Sequence, residues 1–131
     1  MTVNIEELTE YCQSLSHVFT EILWGNTLVF KVGGKIFCLA ALDEGLKINL
    51  KCDPDEALEL RERFRCVLPG YHMNKRHWNT IVMDGTVSDN MIRMLIESSY
   101  RLVVQKLSGA EKVRLGFWKI EKDDNKQLYN G

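Results

Sequence analysis

Residues 71–79 read Tyr-His-Met-Asn-Lys-Arg-His-Trp-Asn, the densest run of polar, basic and aromatic side chains in the chain. Pro69 and Gly70 break the backbone just before it. The run has neither an apolar repeat at helical spacing nor a two-residue alternation, so it reads as an ordered loop between two elements. Loops held by a rigid scaffold commonly carry function. Two kinds of chemistry fit these residue types. Lys75 and Arg76, with Asn74 between them and the turn, are suited to nucleic-acid phosphates or base edges. Alternatively His72, Lys75, Arg76, His77 and Asn79 form a pocket for a small anion or a contact for a protein partner. A second set of cations lies upstream. Lys47, Asn49 and Lys51 share one face of an alternating segment, and Lys31 and Lys35 flank a Gly33–Gly34 turn as a wing tip would. The competing reading is structural: the lysines solubilise an exposed sheet face, Trp78 and Tyr71 pack, and the loop asparagines bond to backbone.

Other chemistries lack their patterns. His72 and His77 do not have the i, i+4 spacing of a helical metal site and have no clear third ligand, and Glu6, Glu7 and Glu10 on a first helix read as a solvated face. No metal or cofactor is expected. The chain contains no phosphate-cradling Gly-x-x-x-x-Gly-Lys loop, nucleophile elbow or His-Glu-x-x-His motif, and a non-enzymatic protein is expected. Cys66 near the histidines could in principle be a nucleophile, but a position at a helix C-terminus raises a thiol's pKa. Cys12, Cys38, Cys52 and Cys66 form no Cys-x-x-Cys pair and read as small buried hydrophobes.

Several elements must position these residues. Asn4 and Glu7 make a capping box ahead of Ile5, Leu8, Cys12 and Leu15, which predicts a helix from residue 5 to residue 14 or 15. β-Branched and aromatic residues predict strands over residues 18–24, 28–32 and 35–41, the last two joined by the Gly33–Gly34 turn. Residues 46–52 alternate strictly, with Leu46, Ile48, Leu50 and Cys52 on one face. Asp53, Pro54 and Glu56 start a second helix that residues 67–70 end, leading into the loop. A short strand follows over residues 79–83, and Ser88 caps a third helix running to about residue 107. Its apolar face includes Ile92, Leu95, Ile96, Ser99, Leu102 and Val103. The prediction is an α+β domain over residues 1–109, an antiparallel sheet with helices packed on one face, in the order α-β-β-β-β-α-β-α. Residues 110–131 read as a C-terminal extension, with residues 113–120 an extra strand or docking arm and a frayed end.

The formal net charge of −1 argues against a protein coated with nucleic acid, but the charges are uneven. The first thirty residues contain no Lys or Arg, whereas residues 61–76 are basic apart from Glu62. No apolar run approaches the roughly 20 residues of a membrane span, and the acidic N-terminus does not resemble a signal peptide. A cytoplasmic monomer is expected.

Four segments together carry a family resemblance: Leu-Val-Phe-Lys-Val-Gly-Gly-Lys from residue 28, Leu-Lys-Cys-Asp-Pro from residue 50, Pro-Gly-Tyr-His-Met-Asn-Lys-Arg-His-Trp-Asn from residue 69, and Ser-Ser-Tyr-Arg-Leu-Val from residue 98. They resemble the signature segments of the MmcQ/YjbR family, in that family's order, across residues 1–107. The resemblance implies a fold like bacterial frataxin (CyaY), a curved antiparallel sheet backed by helices. It also implies a double-wing surface associated with binding double-stranded DNA. It transfers no catalytic residues.

Overall fold

The computed structural model describes residues 4–23, 25–42, 45–71 and 73–117. Helix α1 (Ile5–Ser14) starts where Asn4 Oδ1 accepts the Glu7 N–H at 2.8 Å, satisfying one of the free donors of the first turn. A four-stranded antiparallel meander follows: β1 (Val18–Leu23), β2 (Thr27–Val32), β3 (Lys35–Leu42) and β4 (Leu46–Lys51). Helix α2 (Pro54–Arg63) is capped by Asp53, whose Oδ2 accepts the Asp55 and Glu56 N–H groups. Strands β5 (Val67–Pro69) and β6 (Trp78–Val82) then precede α3 (Asp89–Lys106) and α4 (Gly109–Leu115). The sheet order is β1-β2-β3-β4-β6-β5, so β6 docks on β4 and the short β5 forms the edge. The architecture is α+β, with an open antiparallel sheet and helices on one face.

Two expectations are corrected. Residues 67–69 are a strand rather than the end of α2, which stops at Arg63. Three residues ending in proline carry almost no intrinsic signal, and pairing with β6 makes the strand. Residues 113–115 belong to α4, not to an extra strand. Ser108 Oγ accepts the Glu111 N–H at 3.1 Å to start that helix, and Gly116 ends it with φ of 84°. The rest of the expected strand or arm, residues 118–120, and the expected frayed end lie outside the described residues.

Register explains the core. Phe30, Cys38 and Leu50 lie side by side across β2, β3 and β4, and Ala40, Ile48, Ile81 and Val67 across β3, β4, β6 and β5. All are buried, in one cluster with Leu8 and Cys12 of α1, Ala57 and Leu60 of α2, and Ile92, Ile96 and Val103 of α3. Phe117, just beyond α4, is buried in the same cluster, its ring 5.5 Å from His17 and 6.4 Å from Tyr100. The domain's packing thus extends past residue 109.

One irregularity shapes the sheet near the loop. Phe30 pairs with Cys38 but Lys31 pairs with Ile36, which leaves Phe37 as an extra residue in β3. Such a bulge bends its strand and interrupts the ladder. Pairing of β3 with β4 accordingly ends at Cys38 and Leu50. The fully buried Ser99 of α3 takes over there: its Oγ accepts the Lys51 N–H at 2.9 Å and donates to the Phe37 carbonyl at 2.6 Å. A helix side chain therefore supplies a missing rung where two strands part.

Candidate functional site

Beyond that rung the chain leaves a cleft of ≈640 Å³. One wall is the β2–β3 turn with Gly34, Lys35 and Ile36; the other is the central loop with Met73, His77 and Trp78. Lys51 ends β4 between them, and Val103 and Lys106 come from the last turns of α3. The turn reaches α3 because Gly33, with φ of 58°, has no side chain: a Cβ there would lie 2.7 Å from Leu107 Cδ2.

The loop wall is held by α2. Arg61 Nε donates to Asn79 Oδ1 at 2.7 Å, and its Nη2 donates to the Trp78 carbonyl at 3.3 Å and to the Lys75 carbonyl. Asn74 closes the turn, its Oδ1 accepting the Arg76 N–H at 3.0 Å and its carbonyl the His77 and Trp78 N–H groups. The Cys52 N–H donates to the His77 carbonyl at 2.7 Å, which ties the loop to the end of β4. Gly70 permits the return: a Cβ would sit 2.7 Å from Trp78 Cβ and 2.9 Å from the Trp78 carbonyl oxygen. Such a network fixes the loop backbone while leaving Lys75 and Arg76 exposed at its tip.

The residues singled out from the sequence divide into three groups. Lys35, Lys51 and His77 line the cleft, and Lys75 and Arg76 stand in the loop that forms its wall. Lys47 and Asn49 lie on the same strand face as Lys51, and Asn49 Oδ1 accepts the Thr80 hydroxyl. The third group serves other contacts. Lys31 is paired with Glu21 across β1 and β2 at 3.1 Å, so its charge is already neutralised. Asn79 is 2% exposed and bonded to Arg61 and the Ala57 carbonyl, which makes it a tether for the loop and closes it to a ligand. His72 lies outside the described residues. The sequence reading missed Lys106, whose place at the end of α3 reads as ordinary helix-dipole complementation, and Arg61, which reads as one more charge on an exposed helix.

Cations elsewhere on the surface are in part paired, although Lys47, Arg65 and Arg93 also have no carboxylate partner among the described residues. Arg101 pairs with Glu97 at 3.1 Å and Arg114 with Glu111 at 2.8 Å, while the Arg63 guanidinium covers the Phe64 ring. Among the described residues, Lys35, Lys51, Lys75, Arg76 and Lys106 have no carboxylate partner, and no carboxylate lines the cleft. Thiol chemistry is disfavoured nearby. Burial, then the charges of Glu56 and Asp53, pushes Cys52 up to about 11, and burial also raises Cys66. A hydrogen bond with Cys12 and burial hold Cys38 well above the usual range, and all four cysteines are free. Among the described residues no group of three or more His, Cys, Asp or Glu side chains could hold a metal ion, and no helix is long and apolar enough to cross a membrane.

The model of the YjbR family matches residues 13–102. The chain is a YjbR-family protein. Among curated relatives, YbdF of Escherichia coli O157:H7 is 40% identical over 101 residues, covering 74% of this chain and 83% of YbdF. YjbR of Escherichia coli K12 is 31% identical over 108 residues, covering 80% and 91%. Both are described as uncharacterized. The crystal structure of a Deinococcus radiodurans protein with a DUF419 domain is similar with a TM-score of 0.82 at 35% identity, covering 88% of this chain and 89% of that one. A Pseudomonas syringae protein aligns with a TM-score of 0.69 at 27% identity, covering 76% and 98%. Membership of the YjbR family thus accounts for the fold, whereas function resides in the chemistry of the site this YjbR domain carries.

Proposed function

We propose that this YjbR-family protein is a cytoplasmic, monomeric, non-enzymatic DNA-binding protein that grips phosphates at the Lys51 end of its sheet. The observation that carries this reading is the concentration of carboxylate-free cations there. Lys35, Lys51 and Lys106 surround the cleft, and Lys75 and Arg76 extend the charge along the loop tip. Lysines of this kind neutralise phosphates and release condensed counterions, which drives association without strong base preference. The β2–β3 turn and the central loop stand on either side as two projecting edges, an arrangement consistent with a double wing straddling a duplex backbone. Lys47 and the free amide of Asn49 continue the polar face along β4. The near-neutral net charge limits binding to this one region.

The test is fluorescence anisotropy of labelled duplex DNA at two salt concentrations. About four phosphate contacts should cost roughly a hundredfold in affinity between 50 and 200 mM salt. Lys75→Glu combined with Arg76→Glu should weaken binding about tenfold or more with the thermal transition unchanged. Absence of binding at low salt would remove the proposal.

A further inference from the structure

We infer that the cleft is a site for a single unpaired nucleotide, its phosphate on the lysines and its base against Trp78. This deepens the DNA-binding reading and rests on it for the biological ligand, although the site can be tested separately. Three observations point the same way. The cleft's ≈640 Å³ lies within the range of small-ligand sites and cannot admit a duplex. Its lining is divided by chemistry: Lys35, Lys51 and Lys106 supply cations from three different elements, whereas Ile36, Met73, Trp78 and Val103 supply apolar surface. Among the described residues no carboxylate lines it to oppose an anion.

A bare phosphate would satisfy the lysines and leave the apolar wall wet. An apolar ligand would bury lysines without a partner, which is costly. The matching ligand is an anion with a flat apolar body. Aromatic side chains beside a cationic groove are the means by which proteins stack unpaired bases with little sequence preference. The Trp78 backbone is well fixed for that role, with its carbonyl bonded to Arg61 and to the Gly70 N–H at 2.9 Å. A base inside a duplex cannot reach such a wall. The inference therefore predicts preference for DNA with an unpaired, end or gap nucleotide over a fully paired duplex.

The experiment titrates the full-length protein with deoxyadenosine monophosphate, deoxyadenosine and inorganic phosphate, read by calorimetry and tryptophan fluorescence. The expected result is saturable binding of one monophosphate per chain, at least tenfold tighter than either fragment. Lys106→Ala, an exposed position, should weaken it about fivefold with an unchanged thermal transition, and Trp78→Phe should retain binding while abolishing the site's fluorescence response. A monophosphate no tighter than phosphate, or binding indifferent to Lys106→Ala, would overturn the inference. DNA bound equally well paired and unpaired, with no nucleotide binding, would refute the cleft but leave the phosphate grip standing. Nucleotide binding without any DNA binding would do the reverse.

Discussion

The two ends of α3 make an instructive pair, because each borders a hollow of similar size and only one suits an anion. At the N-terminus a hollow of ≈500 Å³ is lined by Gly85, Thr86, Ser88, Asp89, Asn90 and Arg93. The helix dipole favours negative charge there. The chain has already filled that role: Ser88 Oγ accepts the Met91 N–H at 3.2 Å, and Asp89 sits in the first turn. Asp84 beside it is held below the usual carboxylate range by its hydrogen bonds to Thr86. At the C-terminus the dipole favours cations, and Lys106 answers it. Lys35 and Lys51 arrive from the sheet in excess of what half an elementary charge would neutralise. Side chains brought in by other elements, rather than the helix itself, decide where an anion can go.

The largest effect should come from reversing the cleft. Lys35→Glu, Lys51→Glu and Lys106→Glu together should reduce DNA affinity at low salt by more than about a hundredfold, while Arg93→Glu at the other end changes it less than about twofold. Anisotropy of both variants decides whether the two ends differ as described. Next is the rung that opens the cleft. Ser99→Ala strands the Lys51 N–H and the Phe37 carbonyl, and urea unfolding should show a loss of about 3 kcal/mol. Ser88→Ala at the opposite end should cost about 1 kcal/mol by the same measurement and leave DNA binding unchanged.

The smallest effect is a pH dependence confined to the acidic end. Asp84 has a lowered folded-state pKa, so its contribution is present above the unfolded value of 3.8 and disappears as pH falls through the folded value. The difference in melting temperature between the wild type and Asp84→Asn should therefore be visible at pH 5 and shrink as pH falls below 3.8. A difference that does not shrink would mean the hydrogen bonds, and not the charge, are responsible.

How much of this was legible in the sequence follows from where each signal resides. Caps at Asn4, Asp53 and Ser88 and the strict alternation of β4 are local, and they forecast α1, β4 and α3 to within a residue or two and the start, though not the end, of α2. Strand β5 escaped because its ladder belongs to β6, and α4 because seven residues after a serine cap are too few to show a clear face. The loop was singled out as a candidate, but the contribution of α3 to the cleft beside it was not. Lys106 lies thirty residues from the loop, and nothing local brings it beside Lys35. Asn79 looked like a ligand because its type is right, and only burial reveals it as a tether. Ser99 was placed on the apolar face of α3 from spacing alone, yet its task depends on a bulge sixty-two residues away in sequence.

That serine also has a consequence for positioning. A hydroxyl bonded to two strands at once is a key that fits one height and one rotation of the helix. Sliding α3 by a single residue would move it about 1.5 Å and turn it roughly 100°, withdrawing the hydroxyl from both backbone groups. Val103 and Lys106 follow Ser99 at four and seven residues, on the same stripe of the helix. The lock therefore sets the azimuth of Lys106 from about 10 Å away, so that an uncharged buried side chain determines where a surface charge is presented.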